Sequence, residues 1–272
     1  MKRDEIMLLI KVGGGKSINW EGVCADLAVI IKKEKAVLVH GANALRDEIA
    51  AKLSVPTKTV ISPSGLTSVY TDRTAIDVFL MAYAGLANKR VVAMLHRYGV
   101  NAVGLSGVDG RLWEAKHKKD ILVQEGDKVK LLQGNFTGRV EKVNTGLLQI
   151  LLEANYTPVL CPPAIGFDHE ILNTDNDHAL AVMAGALRIK CLISLFEAPG
   201  FLEDPEDENS LITHIDKGRI EEFLYAARER MKKKVLGAKR AFEAGVEIIH
   251  WGDGRLDNPI RAALEGKGTT IS

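Results

Sequence analysis

The chain has 272 residues, 46% of them hydrophobic, 26% charged and only 8 prolines, a composition that excludes fibrous, collagenous and disordered classes. Thirty-six Lys and Arg oppose 35 Asp and Glu, so a net charge of +1 gives no global electrostatic case for nucleic acid or an anionic membrane surface. The three cysteines, Cys24, Cys161 and Cys191, are odd in number and far apart, which argues against a disulfide framework or a structural zinc site and fits a reducing cytoplasm.

A charged hexapeptide precedes the apolar run 7–12, which is too short for a signal sequence. No stretch approaches 18 uncharged apolar residues, so neither export nor a membrane span is expected. MLLIKV (7–12) reads as a strand, followed by helical spacing at Val23, Leu27, Ile30 and Ile31. AVLVH (36–40) is a second strand, followed by a helix through Leu45, Ile49 and Leu53. Residues 71–98 carry a long apolar stripe stopped by Gly99 and predict a central helix. NAVGL (101–105) then leads into residues 112–140, where Glu-Gly-Asp-Lys between ILVQ and VKLL predicts an inserted sheet of hairpins.

The βα rhythm resumes with a helix over 145–154, strand TPVLC (157–161), a hairpin reaching Leu172, a helix over 177–187 and strand CLISLF (191–196). A basic helix over 228–244, strand VEIIHW (246–251), a short helix near Pro259 and a terminal TTIS complete the chain. The acidic run 203–208 reads as a solvated loop. This alternation predicts an α/β fold with a mainly parallel sheet covered on both faces, and no linker divides the chain.

Gly-containing turns follow several predicted strands, at Gly13-Gly14-Gly15, Gly41-Ala42-Asn43, 104–110 and Gly252-Asp253-Gly254. Any one of them could be only a tight turn, but several on the carboxyl rim of one sheet suit a phosphate ligand. GGGKS (13–17) is not a P-loop, because Ile10 occupies the position of the required first glycine, and no Gly-x-Gly-x-x-Gly opens a helix. Lys11 lies inside an apolar strand, where an ammonium is costly unless it meets an anion or snorkels from an edge. Residues 228–240 hold seven Lys or Arg and one Glu, a solvated face or a phosphate partner. LNTDNDH (172–178) is a polar entry to an apolar helix, and at least one of its Asn, Thr and Asp residues serves as a cap. The seven histidines are scattered without a hydrolase or metal-ligand spacing.

KVGGG, VHGAN, SPSGLTSVYTD, AGLANKR, NTDND and RMKKKV, in this order across nearly the whole chain, resemble the amino acid kinase family, and most the acetylglutamate-kinase branch. VGLSGVDGRLW, GNFTGRVEKVN, ANYTPVLCPPA and DNPIRAALEGKGTTI are similar to kinases acting on aminoadipate or glutamate borne by the amino-group carrier protein LysW. The resemblance implies a three-layer αβα sandwich. It further implies an amino-acid-binding and dimerising lobe over 7–155, a nucleotide lobe over 156–272, a homodimer, and ATP with Mg2+. It assigns Lys11 and Lys234 to the transferring phosphoryl group, Asp177 to orienting both lysines, and Asn173 to the acceptor's α-carboxylate. Gly13, Gly14 and Gly41 match glycines around the phosphate and acceptor, and Leu195, Phe196 and Gly200 fall at the nucleotide strand end. No protein-held metal is implied.

The chain departs from the family at three places. Ala42 replaces the second glycine after the second strand, Val69 stands where an acceptor-binding arginine is expected, and Phe196-Glu197 replaces a small residue followed by Asp or Asn. Thr67, Ser68 or Tyr70 could supply weaker hydrogen bonds in place of the guanidinium. Three readings stay open: a kinase for the carrier-borne acceptor, an N-acetylglutamate kinase, and a non-catalytic binding protein of the same fold. An acidic carrier would require a basic patch, for which Arg111, Lys116, Lys118 and Lys119 are candidates, against the alternative of solvated hairpin lysines.

Overall fold

The computed structural model describes residues 7–227 and 229–272. The charged hexapeptide and Arg228 of the basic run lie outside them.

Strand β1 (Met7–Val12) lies between β2 (Lys35–His40) and β12 (Cys191–Phe196), parallel to both. A strand paired on both edges and covered on both faces reads as an unbroken apolar run, which is what MLLIKV shows. Its side chains alternate between two cores. Leu8, Ile10 and Val12 meet Val23 and Leu27 of α1 (Trp20–Ile30), Val91 and Leu95 of α4 (Asn88–Arg97) and Ile260 of α9 (Pro259–Leu264). Leu9 belongs to the opposite core with Leu148 of α5 (Thr145–Glu153), Met183 of α6 (Asn176–Ala186) and Val235 of α8 (Glu229–Glu243). The result is three layers, αβα, as expected. Lys11 shares the parity of Leu9 and so faces the α6 and α8 side.

Continuing outward from β2, the main sheet runs through β10 (Thr157–Gly166), β6 (Trp113–Lys118), β9 (Thr137–Val143) and β11 (Ile171–Thr174), with β5 (Ala102–Gly107) also pairing β10. Beyond β12 lie β16 (Ile248–Asp253), the antiparallel β17 (Gly268–Ile271) and the short β15 (His214–Ile215). The inserted hairpins are therefore only partly separate. β6 and β9 extend the main sheet, and only β7 (Ile121–Glu125) with β8 (Lys128–Leu132) forms its own ribbon. The division drawn at 155/156 matches no break in the sheet, because β10 and β11 hydrogen bond to β2, β5, β6 and β9.

After β2 comes α2 (Asn43–Lys52), which packs through Leu45 and Ile49 on Ile76, Phe79 and Tyr83, followed by the hairpin of β3 (Lys58–Ile61) and β4 (Thr67–Tyr70). The sequence reading did not resolve this hairpin, since its strands have only four residues each and mostly solvent-facing side chains. The central helix is observed as α3 (Arg73–Phe79), a π-helical stretch Leu80–Ala87 and α4, capped by Asp72 at the Ala75 N–H. At 25 residues with a mean hydropathy of 1.3 in its apolar window, the helix Arg73–Arg97 is long and apolar enough to cross a membrane, which corrects the expectation that no segment would be. That expectation demanded an uncharged run, whereas a pair of charges in 18 residues leaves the mean high. In this fold the helix packs on β5, β10 and α2. Asn88 is buried midway along it and donates to Val159 O at 2.9 Å.

Helix α7 (Ile220–Ala226) and the two-residue strands β13 (Phe201–Leu202) and β14 (Leu211–Ile212) complete the side beside β17.

Candidate active site

Strands β1, β2 and β12 end at one rim, and the turns leaving them touch. Gly13 N–H donates to Leu195 O (2.8 Å) and Gly41 N–H to Val12 O (2.9 Å). The Gly14 carbonyl accepts from Ala44 N–H in the first turn of α2 (2.9 Å). A Cβ on Gly14 would overlap Ala42 N and lie 2.5 and 2.6 Å from Gly41 C and Asn43 N, so the two loops meet backbone to backbone. A Cβ on Gly15 would overlap the Glu197 carboxylate, which accepts from the Ser17 N–H (2.7 Å) and hydroxyl (2.6 Å).

Beneath these loops lies the charged centre. Lys11 is 5% exposed and its Nζ donates to Asp177 Oδ1 at 2.8 Å. Asp177 is in the first turn of α6, whose N-cap Asp175 accepts from the Asp177 and His178 N–H groups at 2.9 and 3.0 Å. Helix α8 reaches the same point because Gly237 lies against Asp177, where a Cβ would stand 2.9 Å from that of the aspartate. Lys234 is one turn earlier on α8, and its Nζ lies 4.4 Å from the centroid of the Phe196 ring. A glycine inside a helix costs about 1 kcal/mol relative to alanine. Gly237 in a basic helix is thus a signal of close approach that the sequence reading missed.

Burial opposes every charge here, and the neighbours decide the outcome. For Asp177, burial alone would raise the pKa, but the Lys11 and Lys234 ammoniums hold the carboxyl well below the usual range. For Lys11, burial is likewise outweighed by the charge and hydrogen bond of Asp177, and its pKa is raised. Lys234 goes the other way. Burial first and the Lys11 charge second lower it to about 7. The arrangement is two lysines around one carboxylate, a focus of net positive charge when both are protonated.

The remaining residues singled out by sequence are distributed around this focus. Asn173 in β11 donates to the Thr71 hydroxyl at 3.0 Å. Thr174 Oγ1 and Asn176 Oδ1 are buried and have no hydrogen-bond partner among the described residues, which marks the entry to α6 as polar and unsatisfied. Asn176 Nδ2 meanwhile holds His40 O at 3.2 Å. His40 is neutral, lowered to about 4 chiefly by burial. Ser68 is exposed on β4, so it does not join the buried cluster. Leu195 supplies the carbonyl to Gly13, whereas Gly200 packs against Thr269 of β17.

Each departure from the family acquires a local setting. The Ala42 methyl is buried in a cluster with Phe79, Ala82 and Tyr83, so a side chain is accommodated there. Val69 lines a small cavity together with Arg46, whose guanidinium lies 5.1 Å from the Phe79 ring centroid and pairs with Asp47. Phe196 faces Lys234, and Glu197 clasps Ser17.

Among the described residues no group of three His, Cys, Asp or Glu is placed to hold a metal ion. The donor set, lysines and loop amides around a paired carboxylate, fits phosphate oxygens rather than a protein-held cation.

The profile of the amino acid kinase family matches residues 7–250. The [LysW]-aminoadipate kinase of Deinococcus radiodurans is 49% identical over 98% of this chain and 91% of its own length. The acetylglutamate kinase of Methanopyrus kandleri is 36% identical over 97% of this chain and all of its own. Among solved structures, N-acetylglutamate synthase of Neisseria gonorrhoeae superposes with a TM-score of 0.78 at 22% identity, covering 98% of this chain and 59% of the synthase.

Proposed function

This chain belongs to the amino acid kinase family, and from that premise we propose that it phosphorylates the side-chain carboxylate of aminoadipate or glutamate carried on LysW. The donor is ATP, the product an acyl phosphate in lysine or arginine biosynthesis, and the enzyme a cytoplasmic homodimer. One observation carries the chemistry: Lys11 from β1 and Lys234 from α8 converge on Asp177. A module that only binds an amino acid has no need of two ammoniums, one buried and one half-buried, brought to one carboxylate from separate elements.

The acceptor carboxylate has a pKa near 4.3 and is already ionised at neutral pH, so no general base is required. Its oxygen forms a bond to the γ-phosphorus while the bond to the bridging oxygen breaks, and ADP departs with that electron pair. Two anions must be brought into line, so the work is positioning and charge neutralisation. Lys11 and Lys234 supply the positive charge, Asp177 fixes their spacing, and Gly13, Gly14 and Gly41 let backbone approach the phosphoryl group. Asn173, with Ala42 and Ser68 nearby in the chain's acceptor half, addresses the amino acid, and Leu195, Phe196 and Gly200 flank the nucleotide. Magnesium, travelling on the nucleotide phosphates, would add further neutralisation.

Trapping the acyl phosphate with hydroxylamine tests the reading. Product is expected with LysW ending in aminoadipate or glutamate, and none with free amino acids. Product with N-acetylglutamate alone would assign the chain to the free-acceptor reaction, which the M. kandleri relative makes the second reading. ATP binding without transfer to any acceptor would defeat both.

Docking of an acidic carrier is supported by a basic cluster nearer the cleft than the sequence suggested. Arg111 is exposed and pairs with Glu114. Lys118 instead lies near Arg139, Lys233 and Arg240, and its pKa is lowered by burial and then by these cations. Arg139 and Arg240 flank His178 at 3.3 and 3.4 Å from its two ring nitrogens. Asp175, the carboxylate nearby, is already occupied as a cap. Charge reversal of Lys118 and Arg139 together is expected to lower kcat/KM for the carrier by about 10- to 100-fold at low salt, with the gap closing at high salt. A salt-independent loss would remove the patch from the account.

A further inference from the structure

We propose that Phe196 is a positioning residue for phosphoryl transfer, its ring face holding the Lys234 ammonium where it meets Lys11 and Asp177. The inference rests on the kinase reading above, but its geometry stands alone. Lys234 Nζ lies 4.4 Å from the ring centroid, inside the range in which an ammonium is attracted by the negative face of an aromatic ring.

Lys234 needs such a partner. Among the described residues Asp177 forms its ion pair with Lys11 and not with Lys234, so the second ammonium is half-buried beside a like charge, opposed through space by Asp177 and more weakly by Asp175. Water cannot solvate it fully, and an aliphatic neighbour would leave it uncompensated. An aromatic face provides attraction without placing a carboxylate in contact with Lys234, which would compete with a phosphate for the same ammonium.

The ring is also held in place. Phe196 is the last residue of β12, paired in register with Asp253 of β16. It meets Trp251 edge-on at 6.3 Å, and Trp251 stacks on Phe201, which meets Phe223 edge-on at 5.4 Å. The neighbouring Glu197 clasps Ser17, and Phe196 itself lies against the position a Gly13 Cβ would take. One strand end therefore links the glycine loop to the lysine of α8.

Phe196→Leu keeps an apolar side chain and removes the ring face. The ring face favours the ammonium form of Lys234, so losing that contact moves deprotonation to lower pH. The alkaline limb of kcat/KM for MgATP should fall by about 0.5 to 1.5 pH units. Above that limb the loss is about 3- to 30-fold, and at low pH the variant converges on the parent. Phe196→Tyr should restore the parent profile. A Phe196→Leu limb coincident with the parent's, or an equal loss at every pH, would overturn the proposal and leave Phe196 as packing only. Should Phe196→Leu fold poorly, ring-fluorinated phenylalanine at 196 keeps the shape and weakens the face stepwise, and the limb should move stepwise with it. If the parent transfers phosphate to no acceptor, the kinase reading fails separately. The pH dependence of MgATP binding then carries the same comparison.

Discussion

Replacing Lys11 or Lys234 by alanine is expected to lower turnover by about 10²- to 10³-fold, the magnitude associated with losing one preorganised electrostatic contact to a transition state. The two variants should nevertheless differ in stability. Lys11 makes the buried ion pair with Asp177, so Lys11→Ala leaves a carboxylate in a low-dielectric site with its main partner gone. Breaking a buried pair from one side costs roughly 3 to 5 kcal/mol, and the melting temperature should fall with the activity. Lys234 is the strained member. The folded chain releases its proton near pH 7, against 10.5 for an ordinary lysine, so the unfolded chain holds more protons across that window. Stability owed to this group therefore rises with pH from about 7 to 10.5, and at neutral pH its ammonium is a burden on the fold. Lys234→Ala should keep or raise the melting temperature while losing turnover. Single-turnover rates and thermal melts on both variants check the pair of outcomes, and wild-type-like turnover in either would end its assignment to the phosphoryl group.

That contrast shows where sequence reading was adequate and where it was not. Lys11 was legible because an ammonium in an apolar strand is anomalous, and β1 because a doubly covered strand has no polar alternation to confuse it. Asp177 stood out less, since Asn173, Thr174, Asp175 and Asp177 are all acceptable caps. Only the coordinates separate Asp175, which caps α6, from Asp177, which turns toward Lys11. The order of strands was legible only where a hairpin joins neighbours, as at β7 with β8 and β10 with β11. Nothing in TPVLCPPAIG says that, besides its hairpin partner β11, it pairs with β2 and β5, because pairing partners distant in sequence depend on crossover paths, not on local pattern. The cations that surround Lys118 were not legible for a related reason. Arg111 was near in sequence to Lys118, whereas Arg139 and Arg240 come to it through β9 and α8. The β3–β4 hairpin left too little periodicity in four-residue strands to register.

Gly14→Ala is the substitution expected to be least tolerated for its size. An added methyl would overlap Ala42 N and crowd Gly41 C and Asn43 N, all backbone atoms, so no rotamer change relieves it. The only remedy is to separate the glycine loop from the start of α2, which also stretches the Ala44 N–H bond to Gly14 O. A displacement on the order of 1 Å in a group that aligns reactants costs about 10²-fold in rate, and both sides of the proposed phosphoryl pocket would move. Turnover should therefore drop by about 10²-fold or more, with weaker nucleotide binding. The neighbouring glycine supplies the internal comparison. A Cβ on Gly13 meets Leu195 O at 3.5 Å and Phe196 atoms at 3.6 and 3.7 Å, ordinary contact distances. Gly13→Ala should then lose at least about tenfold less activity than Gly14→Ala, although the two residues are adjacent in one loop. Equal losses would mean that chain flexibility of the loop matters more than the close approach of the two backbones. The proposed phosphoryl pocket would then be defined by Lys11 and Asp177 rather than by the contact of the two loops.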